Sequence, residues 1–202
     1  DLYFKRATAF MDVVAFTGTG VAKTEAHNLG VAPEMMIVKN RGVSENWQVY
    51  SSTLGGTGYL SLNTTQANGG PYAGAWNNTA PTSSLFTVGT ANSASSNNYI
   101  NYLFATLAGV SCVSSYSGTG ANLDIDCGFS SGARFVLIKR TDASGDWYVW
   151  DSVRGIAAGN DPYLLLNSST AEVTNTDYID PLASGFTVTS SAPAALNASG
   201  GT

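Results

Sequence analysis

Residues 35–50 and 135–150 are two versions of one segment. MMIVKNRGVSENWQVY aligns with FVLIKRTDASGDWYVW so that Lys39 falls on Lys139, Trp47 on Trp147 and Val49 on Val149. The register of about 100 residues also holds upstream, where Phe16-Thr17-Gly18-Thr19-Gly20 meets Tyr116-Ser117-Gly118-Thr119-Gly120, and downstream, where Phe86-Thr87-Val88 meets Phe186-Thr187-Val188. A duplicated chain must fold as two versions of one unit. With 202 residues, each copy is long enough to bury its own core. No catalytic cluster is duplicated with the frame, which points to a building or binding module before an enzyme.

Short β-branched and aromatic runs predict strands at 11–17, 35–39, 47–51, 59–63, 85–88 and 99–104, and again at 110–117, 123–127, 135–140, 147–151, 163–167 and 186–190. Gly/Ser/Thr/Asn clusters separate them and read as turns, with Gly18-Thr19-Gly20 and Gly118-Thr119-Gly120 expected to be hairpin turns. No segment has the pattern of an amphipathic helix. The expected fold is therefore all-β, two tandem homologous antiparallel β-sandwich domains of jelly-roll or lectin-like type. The expected boundaries are an orphan closing strand and linker at 1–9, a first repeat at 10–107 and a second at 108–202 that lacks its last strand.

That last expectation comes from aligning the ends. Asp1-Leu2-Tyr3-Phe4-Lys5 aligns with Asn101-Tyr102-Leu103-Phe104-Ala105, the last strand of the first repeat, while Gly200-Gly201-Thr202 falls where the second repeat should begin the same strand. An unpaired edge is a template for another strand. Leu2, Tyr3 and Phe4 are thus candidates for strand donation, to the second repeat of the same chain or of a neighbouring copy. A segment cut from a longer tandem array is the other reading.

Nine basic against fourteen acidic residues give a net charge of −5, which argues against nucleic acid as a partner. No apolar run approaches the roughly 20 residues of a membrane span, and no signal peptide is visible. Only 11% of the residues are charged, the polarity coming from small neutral side chains. Cys112 and Cys127 both lie in the second repeat. A hairpin centred on Thr119-Gly120 would set them opposite each other within disulfide reach, and two separate thiols are the alternative.

Candidate chemistry is sparse. His27 is the only histidine and has no triad or zinc-type spacing around it, so it reads as a strand or turn residue, and no metal or cofactor is expected. A hydrolase reading would need Asp146, Asp151 or Asp180, but the first repeat has no matching carboxylate pair. Trp47 and Trp147 recur and read as packing residues between sheets. Trp76 and Trp150 do not recur, their counterparts being Thr176 and Tyr50, so they are candidates for ligand stacking along with Tyr72 and Asp151.

The runs His27-Asn28-Leu29-Gly30-Val31-Ala32-Pro33-Glu34-Met35, Trp76-Asn77-Asn78-Thr79-Ala80-Pro81, Cys127-Gly128-Phe129-Ser130-Ser131-Gly132-Ala133-Arg134 and Gly145-Asp146-Trp147-Tyr148-Val149-Trp150-Asp151 resemble the tandem β-sandwich domain of virion proteins from tailed bacteriophages, many from marine and cyanobacterial hosts. The resemblance spans nearly the whole chain. It implies a non-enzymatic structural protein at the virion surface, part of a tail fibre or other appendage, that contacts copies of itself, other virion proteins and a host-surface glycan. Capsid decoration, a filament built by strand donation, and a carbohydrate-binding module of a secreted protein are the alternatives.

Overall fold

The computed structural model describes residues 7–202. The chain is almost entirely β, arranged in antiparallel sheets, and divides into two units. The first runs to Ser61 and resumes over Asn68–Val113; the second comprises Leu62–Ala67 and Ser114–Thr202. Residues 62–67, expected inside the first repeat, therefore belong with the second. The peptide carbonyl of Thr65 accepts from Gly145 N–H at 2.9 Å, which places them there.

The first unit contains β1 (Met11–Thr17), β2 (Lys23–Ala26), β3 (Met35–Asn40), β4 (Gln48–Ser51), β5 (Leu60–Ser61), the short helix α1 (Ala73–Trp76), β6 (Leu85–Val88) and β7 (Asn98–Phe104). Five strands form one sheet in the order β1-β7-β3-β4-β5, and β2 pairs with β6 in another. The strands alternate as a half-buried sheet requires, with Met36 and Val38 of β3 and Tyr99 and Leu103 of β7 turned inward. These side chains share one core with Phe86 and Val88 from the second sheet. Phe16 stacks on Tyr99 at 5.2 Å and meets Phe86 edge-on at 6.0 Å. Each fully buried side chain of this size contributes about 1.5–3 kcal/mol relative to exposure.

The second unit contains β8 (Leu123–Asp126), β9 (Phe135–Lys139), β10 (Trp147–Asp151), β11 (Leu164–Leu165), β12 (Ile179–Leu182), β13 (Gly185–Val188) and the short helix α2 (Ala194–Asn197). Its sheets run β11-β10-β9 and β12-β13-β8. The repeat reappears as pairing register: Met36 faces Tyr50 and Val136 faces Trp150, while Glu25 faces Phe86 and Ile125 faces Phe186.

Several expectations are corrected. Residues 110–117 form no strand beyond the bridge Leu107–Ser111. In the first unit the equivalent strand β1 is held by β7, and no described strand of the second unit plays the part of β7. A single strand cannot satisfy its own backbone. Nor is there a hairpin across Thr119-Gly120: β8 pairs with β13, and Cys112 and Cys127 are both half-buried thiols.

Gly18 and Gly118 serve close approach instead of hairpin turning. A Cβ at Gly18 would lie 2.2 Å from the Ala94 carbonyl oxygen, and one at Gly118 would lie 2.4 Å from that of Ala198. At both places the chain passes so close to neighbouring backbone that only glycine fits, and at Gly18 it is leaving β1 for β2 in the other sheet.

Two strands escaped the sequence reading. β2, Lys-Thr-Glu-Ala, has no apolar signal, and β12 carries Pro181, tolerated because β12 is an edge strand.

Candidate functional site

The aromatic residues singled out as ligand platforms are mostly structural. Trp76 is 0% exposed, meets Tyr50 edge-on at 5.7 Å and donates its indole N–H to the Gly58 carbonyl at 3.0 Å. It pins the loop around α1 to the core and offers no face to a ligand. Trp150 is also 0% exposed and stacks on Tyr148 at 5.8 Å. Both expectations of ligand stacking are corrected by burial.

Asp151 is tied to its own turn, its Oδ1 accepting from Val153 and Arg154 N–H and its Oδ2 pairing with the Arg154 guanidinium. These contacts, led by the Arg154 peptide N–H, hold its pKa below the usual carboxylate value. Only Tyr72 remains outward, 43% exposed, against Tyr59 at 5.5 Å between ring centres. Of the recurrent tryptophans, Trp147 is buried, 3% exposed, as expected of a packing residue, whereas Trp47 is half-buried with the Lys39 ammonium 5.9 Å from its ring.

The sequence reading missed Asp161, a fully buried carboxylate. Its Oδ2 accepts from Trp150 Nε1–H at 2.8 Å and Ile179 N–H at 3.3 Å, and its Oδ1 from Tyr178 N–H at 2.8 Å. Burial pushes its pKa up to about 6, against the pull of those donors. Leu164 and Leu165 stand beside β10 where Leu60 and Ser61 stand beside β4, so the counterpart of Asp161 is Thr57, which gave no hint of a charge at this place. Asp161 thus ties β10 to the start of β12 and is enclosed, with no opening to a substrate.

Other titratable groups are similarly committed. His27 Nδ1 accepts from Leu29 N–H at 3.2 Å, which leaves the proton on Nε2 to donate to the Thr82 carbonyl at 3.1 Å. Burial lowers the Lys139 pKa to about 8, and its ammonium donates to the Arg140 and Thr65 carbonyls. Asp146 accepts from Asn167 Nδ2 at 2.7 Å. Among the described residues no three His, Cys, Asp or Glu side chains gather as metal ligands, and no helix is long and apolar enough to cross a membrane. A shallow cleft of about 530 Å³ in the second unit is lined by Ser131, Arg134, Ser152, Ile156 and Pro181 among others, with no carboxylate and no aromatic ring.

The feature that stands apart is an edge. In the first unit β3 lies between β4 and β7; in the second, β9 pairs with β10 and with no other described strand. Ser152 N–H donates to the Arg134 carbonyl at 2.9 Å. Because backbone groups alternate in direction along a strand, the N–H and C=O groups of Phe135, Leu137 and Lys139 point away from β10. One rung exists beyond them: Thr141 N–H donates to the Thr202 carbonyl at 2.6 Å, as Arg41 N–H donates to that of Asn98 at 2.7 Å at the start of the β3–β7 ladder. Phe135 is 61% exposed, whereas its counterpart Met35, facing Phe104, is half-buried. The strand-donation candidates Leu2, Tyr3 and Phe4 lie outside the described residues.

No curated protein and no solved structure matches the chain. One family model does, over residues 5–202, and it carries the description Domain of unknown function (DUF7483). With its repeat, its sheets and the edge of β9 all inside that match, the chain belongs to the DUF7483 family.

Proposed function

We propose that the protein is a non-enzymatic structural module, two antiparallel β-sandwiches in tandem, that assembles with copies of itself in the surface appendage of a tailed-phage virion. The observation that carries the assembly role is the edge of β9, where three residues direct backbone donors and acceptors away from their own sheet beside an exposed phenylalanine. An edge of this kind is a pairing template unless another strand covers it. The virion setting rests on the sequence resemblance. Low charge and many small polar residues suit a particle exposed outside a cell, where repeated contacts add through multivalency.

Sedimentation velocity of the full chain tests this reading. The protein should form concentration-dependent multimers, and Leu137→Pro should return them to monomer with an unchanged far-UV circular dichroism spectrum. Proline at this position deletes an outward N–H and leaves the β9–β10 ladder intact. A protein that stays monomeric across the micromolar range contradicts the assembly role.

A second reading, attachment to a host-surface glycan, is favoured by one observation: the outward ring of Tyr72 on Tyr59. Binding on a glycan array that disappears with Tyr72→Ala supports it, and an array without signal removes it.

A further inference from the structure

Glu34 and Arg134 stand at one place in the repeat and carry opposite charges. The backbone around them is the same, since Ser52 N–H donates to the Glu34 carbonyl at 2.8 Å and Ser152 N–H to that of Arg134 at 2.9 Å. The side chains are employed differently. Glu34 Oε2 accepts from Thr106 N–H at 2.6 Å, whereas Arg134 is exposed and, among the described residues, makes no ion pair. The other two arginines of the second unit are neutralised, Arg140 by Asp142 and Arg154 by Asp151.

The space beside Arg134 also belongs to the second unit alone. In the first, the turn after β4 closes on the segment after α1 so tightly that a Cβ on Gly56 would lie 2.6 Å from the Thr79 peptide nitrogen. Ile156 stands in place of that glycine in the second unit, where the cleft of about 530 Å³ is bounded by the turn after β10, residues 131–134 and Pro181 of β12. Its walls are fixed before anything binds. Gly132 and Ala133 N–H donate to the Ala183 and Gly185 carbonyls at 2.8 and 3.0 Å, and Asp151 Oδ1 holds the N–H groups of Val153 and Arg154. Ala133 and Ile156 pack against the core and supply apolar surface, and Ser131 and Ser152 supply hydroxyls.

We infer that this cleft binds an acidic sugar residue, a hexuronate of an anionic polysaccharide. The guanidinium fork matches a planar carboxylate in two parallel hydrogen bonds, and one unpaired cation matches one negative charge, where a phosphate dianion would call for a second. The C–H face of a pyranose ring suits Ala133, Ile156 and Pro181, and its hydroxyls suit Ser131 and Ser152. The volume falls within the range of about 300–1,000 Å³ usual for ligand sites. On a chain of net charge −5, capture of an anion depends on such a local cation. The site uses neither the β9 edge nor Tyr72, which lies in the other unit, so it goes beyond both readings above.

The test is a titration of the isotope-labelled full chain with tetrasaccharides of galacturonate, mannuronate and hyaluronan, followed by NMR at the Arg134 Nε–H and the Ile156 amide. At least one of the three should shift both signals saturably. Arg134→Gln, a change at an exposed position, should keep the circular dichroism spectrum and weaken that binding by about tenfold or more, as should methyl esterification of the sugar, because each removes a charge-assisted bond. Arg134→Lys should weaken it less, and Tyr72→Ala should leave it unchanged. No shift with any of the three sugars overturns the inference, as does equal binding by the ester or by Arg134→Gln. Inorganic phosphate that shifts the same signals as strongly at the same concentration also overturns it, leaving an unspecific anion contact. Binding lost in Tyr72→Ala and kept in Arg134→Gln overturns it while the glycan reading built on Tyr72 stands.

Discussion

Trp150 donates its indole N–H to Asp161 across 2.8 Å in the second unit's core, where both side chains are 0% exposed. Both carboxylate oxygens are occupied by N–H donors, and an amide in their place would turn its NH₂ against at least one of them. Asp161→Asn is therefore expected to destabilise the second unit by about 1–3 kcal/mol, the cost of a buried donor left facing a donor. Urea denaturation followed by tryptophan fluorescence measures it.

The same carboxylate sets a pH dependence. Its pKa is raised from 3.8 to about 6 by burial, so between these values the folded state holds more protons than the unfolded. Its contribution to stability is fully present below pH 3.8 and is lost as pH rises through 6. The slope of stability against pH in this window should be less positive in the wild type than in Asp161→Ala, as read from denaturation midpoints.

Lys139 acts in the opposite sense at alkaline pH. Burial lowers its pKa from 10.5 to about 8, so the unfolded chain holds more protons between those values and stability rises with pH across the window. Lys139→Met should flatten that rise in a series of melts from pH 7.5 to 10.5.

Trp76 should behave as a core residue. Trp76→Ala is expected to cost about 3–5 kcal/mol in the first unit, as large-to-small core changes do, and Trp76→Phe less. Thermal denaturation of the two variants ranks them.

Gly18→Ala and Gly118→Ala should each destabilise their own unit, by about 1–3 kcal/mol, because the new methyl meets a carbonyl oxygen well inside contact distance. Denaturation melts of both variants against the wild type check this.

The pairing register was legible in the repeat because strand pairing and sequence repeat share one offset: Met36–Tyr50 and Val136–Trp150 are the same rung. The assignment of the unit-specific tryptophans failed because Tyr50 and Trp76 are buried in the first core and Trp150 in the second, so aromatic residues that differ between copies are not thereby on the surface. Asp161 was hidden because Thr57, a neutral residue, occupies its place once Tyr59-Leu60 is set on Tyr163-Leu164. Residues 110–117 have the propensity of a strand but no described neighbour to pair with, and pairing decides.

Amide exchange along β9 tests the central claim most directly, with Ile37 of β3, paired to β7, as the internal reference. At assembling concentration the amides of Phe135 and Leu137 should be protected like Ile37, and on dilution they should exchange at least tenfold faster while Ile37 stays protected. Exchange that is fast at every concentration, with Ile37 protected throughout, contradicts the account.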